Sequence, residues 1–287
     1  MENVMSNYQK ITDQILAQMQ TVGAGWMNPM QGGRAGMPRN AVTGRRYSGI
    51  NVMLLGLTGQ AWATYKQWQS VGAQVRKGEE GTTVVFFKPL QVKDKETGED
   101  ATIPMMRTFT VFNADQVDGY EMEGIELTEA ERIEGADQWV SNTGADIRHN
   151  NIGGAFYKPT ADWIQVPELE SFKASEHSTQ VENYYSTLFH ELTHWTGHNS
   201  RCKRDLGNRF GSTDYAFEEL VAEMGAAFQC ALLSITNEPR ADHAQYLNSW
   251  IKCLKNEPKA IFKAASLAEK AVQYIESLQS KEQQQAA

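Results

Sequence analysis

Cysteine is scarce: the 287-residue chain has three, Cys202, Cys230 and Cys253, widely spaced and odd in number. A disulfide framework and a paired-cysteine zinc site are thereby excluded, leaving ordinary thiols. Also missing is any run near the roughly 18 apolar residues that span a bilayer, so no membrane partner is expected. The opening residues, MENVMSNYQK, carry no basic start, apolar stretch or small-residue cleavage site, and the expected location is the cytoplasm. No internal repeat is present. What is there is ordinary for a globular protein, with 41% apolar and 22% charged residues. The length exceeds a typical domain of about 100 to 200 residues, so two domains are expected.

Charge divides the chain. Ten basic residues (Lys10, Arg34, Arg39, Arg45, Arg46, Lys66, Arg76, Lys77, Lys88, Lys93) stand against four acidic ones up to residue 93. The start is therefore near +6 and the remainder near −14, within a net charge of −8. A basic module joined to an acidic one predicts a polyanion, such as nucleic acid, as partner of the first.

Hydrophobic spacing organises the rest. Tyr8, Ile11, Ile15, Leu16 and Met19 recur as one face of a helix over 7–20, ended by Gly23 and Gly25. The following stretch, NPMQGGRAGMPRNAVTGRRYSG, is too rich in glycine and proline for a helix interior and reads as a loop. NVMLLGL and AWATYKQWQSVG read as helices, while TTVVFFKPL and MMRTFTVFN read as paired strands around a polar tip, VKDKETGED. The acidic residues 114–130 read as a linker into a helix over about 127–144. AFYKP and DWIQVP then suggest a small sheet with a turn at Thr160–Asp162, followed by helices near 179–197, 214–233, 240–254 and 257–280. The expected fold is α+β: a basic module over 1–120 and a mainly helical module with a small sheet over 127–287.

Residues 190–194 read HELTH. Two histidines four apart lie one helical turn apart on the same face, so both imidazoles can reach one ion. Glu191 stands beside them as a base for water, the arrangement of zinc peptidases. Downstream, FEELVAEMGAAF places Glu219 and Glu223 one turn apart on a helix whose other face is apolar. Carboxylates on a largely buried helix need a partner to offset their desolvation, and a divalent cation is a strong one. The segment resembles the third-ligand helix of thermolysin-like zincins (gluzincins), which implies Glu219 as ligand and Glu223 as the acid that orients a ligating histidine. Glu218 is an adjacent competitor for the ligand role. Three ligands, His190, His194 and Glu219, would hold one Zn²⁺, with Mn²⁺ or Co²⁺ as other occupants, and leave a fourth position to water whose pKa zinc lowers towards about 7. His198 is expected beyond the helix end at Gly197 and not as a ligand. Tyr157 is a candidate oxyanion stabiliser, and Trp163–Pro167 a candidate sheet edge for an extended peptide. His149, His177 and His243 are expected at the surface.

In the basic module, Arg39, Arg45, Arg46 and Tyr47 cluster around a loop, with Lys77 further on and Trp26, Trp62, Tyr65 and Trp68 nearby. Arginines neutralise phosphates and aromatic rings stack on unpaired bases, the combination used by single-strand binders. The alternative is that the tryptophans are core and the arginines merely solvated.

Nearly the whole chain, about residues 7–275, resembles the ArdC family of plasmid-borne antirestriction proteins. The first part does so through PRNAVTGRRYSGIN, TTVVFFKP and TFTVFNADQVDG, and the second through YYSTLFHELTHWTGH, RFGSTDYAFEELVAE and YLNSWIKCLK. The resemblance implies an N-terminal single-stranded-DNA-binding domain, a zincin-like metallopeptidase domain, and protection of incoming DNA from host restriction during conjugation. Two other readings stay open: a DNA-associated zinc metalloprotease cleaving a host protein, and a non-catalytic decoy or inhibitor that targets a restriction enzyme.

Overall fold

A computed structural model describes residues 2–23, 36–93, 100–121, 127–175, 178–206, 213–236 and 243–279. Trp26 and the start of the glycine-rich loop, the hairpin tip at 94–99, the middle of the expected linker at 122–126, His177, the segment 207–212 and the tail from 280 lie outside them. The architecture is the expected α+β.

In the first half, α1 (Glu2–Val22) is followed by β1 (Arg39–Asn40), α2 (Ile50–Leu55), β2 (Ala61–Ala63), α3 (Tyr65–Ser70) and β3 (Gln74–Val75). Then come the long strands β4 (Thr82–Lys93) and β5 (Asp100–Asn113), and β6 (Val117–Asp118). One sheet has the order β1-β2-β5-β4, with β5 antiparallel to β4 along the whole of β4, and β3 pairs with β6. The segment expected as a helix at AWATYKQWQSVG is split. Ala61–Ala63 joins the sheet, and Thr64 caps α3 by accepting from the Gln67 amide while the Gln67 side chain accepts from the Thr64 amide. Trp62 and Trp68 are core residues, 5% and 0% exposed. The Trp68 indole N–H donates to Phe112 O at 3.0 Å. Neither ring is available to a base, which corrects their placement in a nucleic-acid surface; Tyr65, 44% exposed, is available.

The second half runs α4 (Glu129–Ser141), β7 (Asp146–His149), β8 (Phe156–Lys158), β9 (Trp163–Val166), α5 (Gln180–Thr196), α6 (Thr213–Leu232), α7 (His243–Asn256) and α8 (Ala260–Ser277). Its sheet has the order β7-β9-β8. Trp163–Val166 is thus the central strand, parallel to β7 and antiparallel to β8. Its backbone groups are already shared out, so it is not the open edge that the sequence suggested. α4 and α5 both begin with a capping box, Thr128 with Glu131 and Thr179 with Glu182. No helix among the described residues is long and apolar enough to cross a membrane, and the three cysteines are free thiols.

The halves share one core. Ile11, Ile15, Leu16 and Met19 of α1 belong to the same buried cluster as Trp250 of α7 and Ile261 of α8, and Thr12 Oγ1 donates to Pro258 O at 2.6 Å. What positions the functional side chains is the crossing of α5 on α6. At Gly225 the backbones approach so closely that a Cβ would lie 2.5 Å from both Cγ2 and Oγ1 of Thr193. Beside it the Gln229 amide donates to Phe189 O and Thr193 Oγ1, each at 3.0 Å, and accepts from the Trp139 indole at 3.0 Å.

Candidate metal centre and basic cavity

α5 carries HELTH on its buried side, and the crossing sets it against the acidic face of α6. His190, Glu191, Glu218, Glu219 and Glu223 are all buried. The two Nε2 atoms lie 3.1 Å apart, and the Glu219 carboxylate sits 3.5 Å from each. The opposite ring nitrogens face other acids: His190 Nδ1 lies 2.9 Å from Glu223 Oε1, and His194 Nδ1 lies 3.2 Å from Glu218 Oε1. A carboxylate within 3.2 Å of each Nδ1 favours the imidazole proton on that side, a tautomer that aims both Nε2 lone pairs at one point. Three electron-pair donors then converge in a dry site and repel one another unless a cation stands between them. With only protons to serve, burial favours neutral His194, but hydrogen bonds and charge from Glu218 and Glu219 outweigh it and push its pKa up to about 10. Burial likewise opposes ionised Glu219, yet His190 and His194 hold its pKa far below the usual carboxylate range. His190, His194 and Glu219, with ligand atoms within 4.8 Å of one another, could hold a divalent ion.

Glu218, the competitor, is spoken for. Arg204 binds its carboxylate through Nε at 3.1 Å and Nη2 at 2.9 Å. The same guanidinium donates to Thr196 Oγ1 at 2.7 Å and to Thr193 O. Arg204 is buried, and Glu218 links it to His194. Sequence reading missed Arg204 altogether, since nothing in its neighbourhood marks it. It also missed Tyr215, one turn before Glu219, whose hydroxyl pKa is raised by burial, by the Glu219 charge and by hydrogen bonds with Tyr246 and Glu219. That one-turn spacing was the available signal.

Gly197 caps the end of α5, and His198 beyond it contacts Ser200 Oγ at 2.8 Å. Tyr157 donates its hydroxyl proton to Asp162 at 2.7 Å and accepts from Arg201 at 3.1 Å. Burial and the Asp162 hydrogen bond raise its pKa, so its proton is committed to Asp162 and not held ready for an oxyanion. His149 is exposed and contacts the Tyr184 hydroxyl at 2.9 Å.

In the first half, a tight turn gathers the arginines. Asn40 N donates to Arg45 O at 2.8 Å, Gly44 N to Asn40 O at 2.9 Å, and Arg39 pairs across the turn with Arg46. Arg45, Arg46 and Tyr47 line a cavity of about 1040 Å³ together with Tyr65, Phe86 and Phe109. Lys77 lines an adjoining cleft of about 550 Å³ that shares Tyr65 and Phe112 with it. Arg39 is exposed but lines neither.

A buried His-x-x-x-His helix crossed by a glutamate helix over a small sheet defines a zincin-like metallopeptidase domain, and residues 134–267 match the family model of that description. Residues 5–112 match the N-terminal domain of the anti-restriction factor ArdC. The chain is 38% identical to the uncharacterized protein y4eC of Sinorhizobium fredii, over 95% of this chain and 92% of that protein. It is also 38% identical to a DNA primase TraC of Escherichia coli, over 97% of this chain but 28% of the primase. Among solved structures, the metal-free crystal structure of the antirestriction protein ArdC from plasmid R388 superposes with a TM-score of 0.76 at 38% identity, covering 94% of this chain and 97% of that one. Its Mn(II)-bound form gives 0.75 at 37% identity, covering 96% and 98%. The chain belongs to the ArdC family of antirestriction proteins.

Proposed function

We propose that this chain binds single-stranded DNA through its N-terminal half and so protects DNA entering by conjugation from host restriction. The observation that carries the reading is the cavity of about 1040 Å³: Arg45, Arg46 and Lys66 line it, no carboxylate among the described residues does, and aromatic rings stand among them. In a chain of net charge −8 such a segregated basic surface favours a polyanion. The R388 relative is an antirestriction protein. In this proposal Arg39, Arg45, Arg46, Tyr47 and Lys77 contribute to the DNA-binding surface.

For the second half we propose a metallopeptidase-type site in which His190, His194 and Glu219 hold one divalent ion. The donor set suits Zn²⁺, while the R388 relative has been crystallised with Mn(II). The ion, when bound, would supply a Lewis acid to polarise a carbonyl and to acidify water. Glu191, next in sequence to His190 and buried with it, is the base that takes the proton of the attacking water. Glu223 and Glu218 orient the two imidazoles, and Arg204 fixes Glu218. This geometry supports a second activity, hydrolysis of a host protein.

One experiment separates these roles: a conjugation-protection assay on wild type, Glu191→Ala and Arg45→Glu/Arg46→Glu, with metal content and single-strand affinity measured for each. Protection lost only in the arginine variant assigns the function to DNA binding. Protection lost only in Glu191→Ala assigns it to proteolysis and overturns the leading reading. Protection kept by both, with binding to a restriction enzyme in the absence of DNA, makes the protein a decoy.

A further inference from the structure

β4 and β5 present two unlike faces. Residues directly opposite across an antiparallel pair share a face, so Val84 with Phe109, Phe86 with Arg107, and Lys88 with Met105 fall on one side. The other side carries Val85 and Met106, 4% and 5% exposed, and Phe87, partly covered at 38%. Asn51 of α2 both donates to Val85 O and accepts from Val85 N, each at 2.8 Å. Phe87 lies 6.3 Å from Tyr8 of α1 and 6.4 Å from Phe262 of α8, ring centre to ring centre. On the first face Val84 and Val111 are buried with Leu55 and Trp62, while Phe86 is 58% and Phe109 46% exposed. Lys88 and Arg107 are exposed on it too, and both phenyl rings border the cavity that Arg45 and Lys66 line.

We propose that Phe86 and Phe109 are two base-stacking sites for a single strand, with Arg107 and Lys88 meeting its phosphates; this rests on the single-strand reading given above. Charge complementarity selects the occupant. An apolar protein partner has no use for four cations interleaved with two rings and no acid among the described lining residues, whereas a strand with unpaired bases offers anions and flat apolar faces in alternation. Phe86 and Phe109 occupy diagonal positions on the two strands, roughly 7 to 8 Å apart at the backbone by strand geometry, so each side chain can take its own base. Exposed aromatic residues on a strand pair would otherwise be an invitation to aggregate.

The test measures binding of the full-length protein to a labelled oligothymidylate and to an abasic strand of equal length, by fluorescence anisotropy over a range of salt. Wild type binds the oligothymidylate more tightly than the abasic strand. Phe86→Ala and Phe109→Ala each weaken oligothymidylate binding about 10-fold, within the range of one lost stack, and leave abasic binding and the salt slope unchanged. Phe86→Tyr retains affinity. Arg107→Gln lowers the slope of log affinity on log salt by about 0.7, one phosphate on a single strand. Wild type that binds both strands equally, or phenylalanine variants that bind as wild type, overturns the stacking sites while leaving the single-strand reading intact. Wild type that binds neither strand defeats that reading itself. A wild-type dimer that becomes monomeric in the double variant, in sedimentation runs without DNA, assigns the face to a second copy and overturns the proposal.

Discussion

Arg46 donates to Glu276 at 2.6 Å, joining the arginine turn of the N-terminal half to the last helix of the C-terminal half. Two turns earlier on α8, Glu269 accepts from the Gly49 amide at 3.3 Å. Burial is the main cause raising the Glu269 pKa. The acidic half thus holds one of the cations proposed for DNA, and a phosphate must compete with Glu276 for it.

Glu276→Gln should therefore strengthen single-strand binding, by roughly 3- to 10-fold at low salt and less as salt screens the contact. Stability should move little, by about 0 to 1 kcal/mol, because both partners are partly exposed. Anisotropy titrations at two salt concentrations check it. Unchanged or weaker binding would show that Arg46 serves the interface between the halves and not the strand.

The metal centre yields a graded set. His190→Ala or Glu219→Ala should abolish tight divalent-ion binding, while Glu191→Ala should keep it. Glu223→Gln and Glu218→Gln, which face the distal imidazole nitrogens, should each weaken it about 10- to 100-fold. Glu218→Gln should also destabilise, by about 3 kcal/mol, since it strips a buried arginine of its counter-charge. Calorimetric titration with Zn²⁺ and Mn²⁺ and urea unfolding measure the two effects separately. Full ion affinity in Glu219→Ala would return the ligand role to a neighbouring acid.

Much of this centre is legible in the sequence because helical spacing is local. His190, His194, Glu219 and Glu223 follow from one-turn repeats. Glu218 could not be assigned that way, since its role is decided by Arg204, fourteen residues earlier and brought close only by the fold. The same limit applies to strands. β7 went unread because a parallel pairing with β9 leaves no turn between them, and its presence turns β9 from an edge into a centre. VVFF does not alternate in hydrophobicity, so which phenylalanine is the less exposed depends on α1 and α8. Trp62 and Trp68 misled because an aromatic residue beside arginines looks alike whether it lines a surface or fills a core.

Glu182 predicts a pH dependence. Burial opposes its charge, but the amides of Thr179 and Thr236, the Thr236 hydroxyl and Arg132 together hold its pKa below the usual value. Arg132 Nη1 lies 2.8 Å from it and also donates to Ser234 O at 2.8 Å, so the carboxylate ties α4, the start of α5 and the end of α6. A depressed folded-state pKa stabilises above the unfolded value, near 4.3, and that contribution is lost as pH falls through the folded value. Glu182→Gln should cost about 2 kcal/mol near pH 7, with the gap to wild type closing below about pH 4. Urea midpoints from pH 3 to 7 test this, and a gap of constant size would show that hydrogen bonding and not ionisation carries the contribution.

Gly225 sits where the two helices proposed to hold the ion approach each other. A methyl group there meets Thr193 at 2.5 Å, so Gly225→Ala must push α6, with Glu219, away from α5, with His190 and His194. Alanine gains about 1 kcal/mol of helix propensity, while overpacking a buried contact costs about 1 to 3 kcal/mol. The net loss of stability should therefore be small, about 1 kcal/mol. Ion binding has no such compensation, because the carboxylate moves away from both imidazoles, and affinity should fall at least 10-fold. Thr193→Ala in the same chain removes both atoms in the way, Cγ2 and Oγ1, and should restore affinity even though the Gln229 amide loses one acceptor. Gly225→Ala with wild-type ion affinity would mean that the spacing is set elsewhere, by the Gln229 and Trp139 contacts beside it.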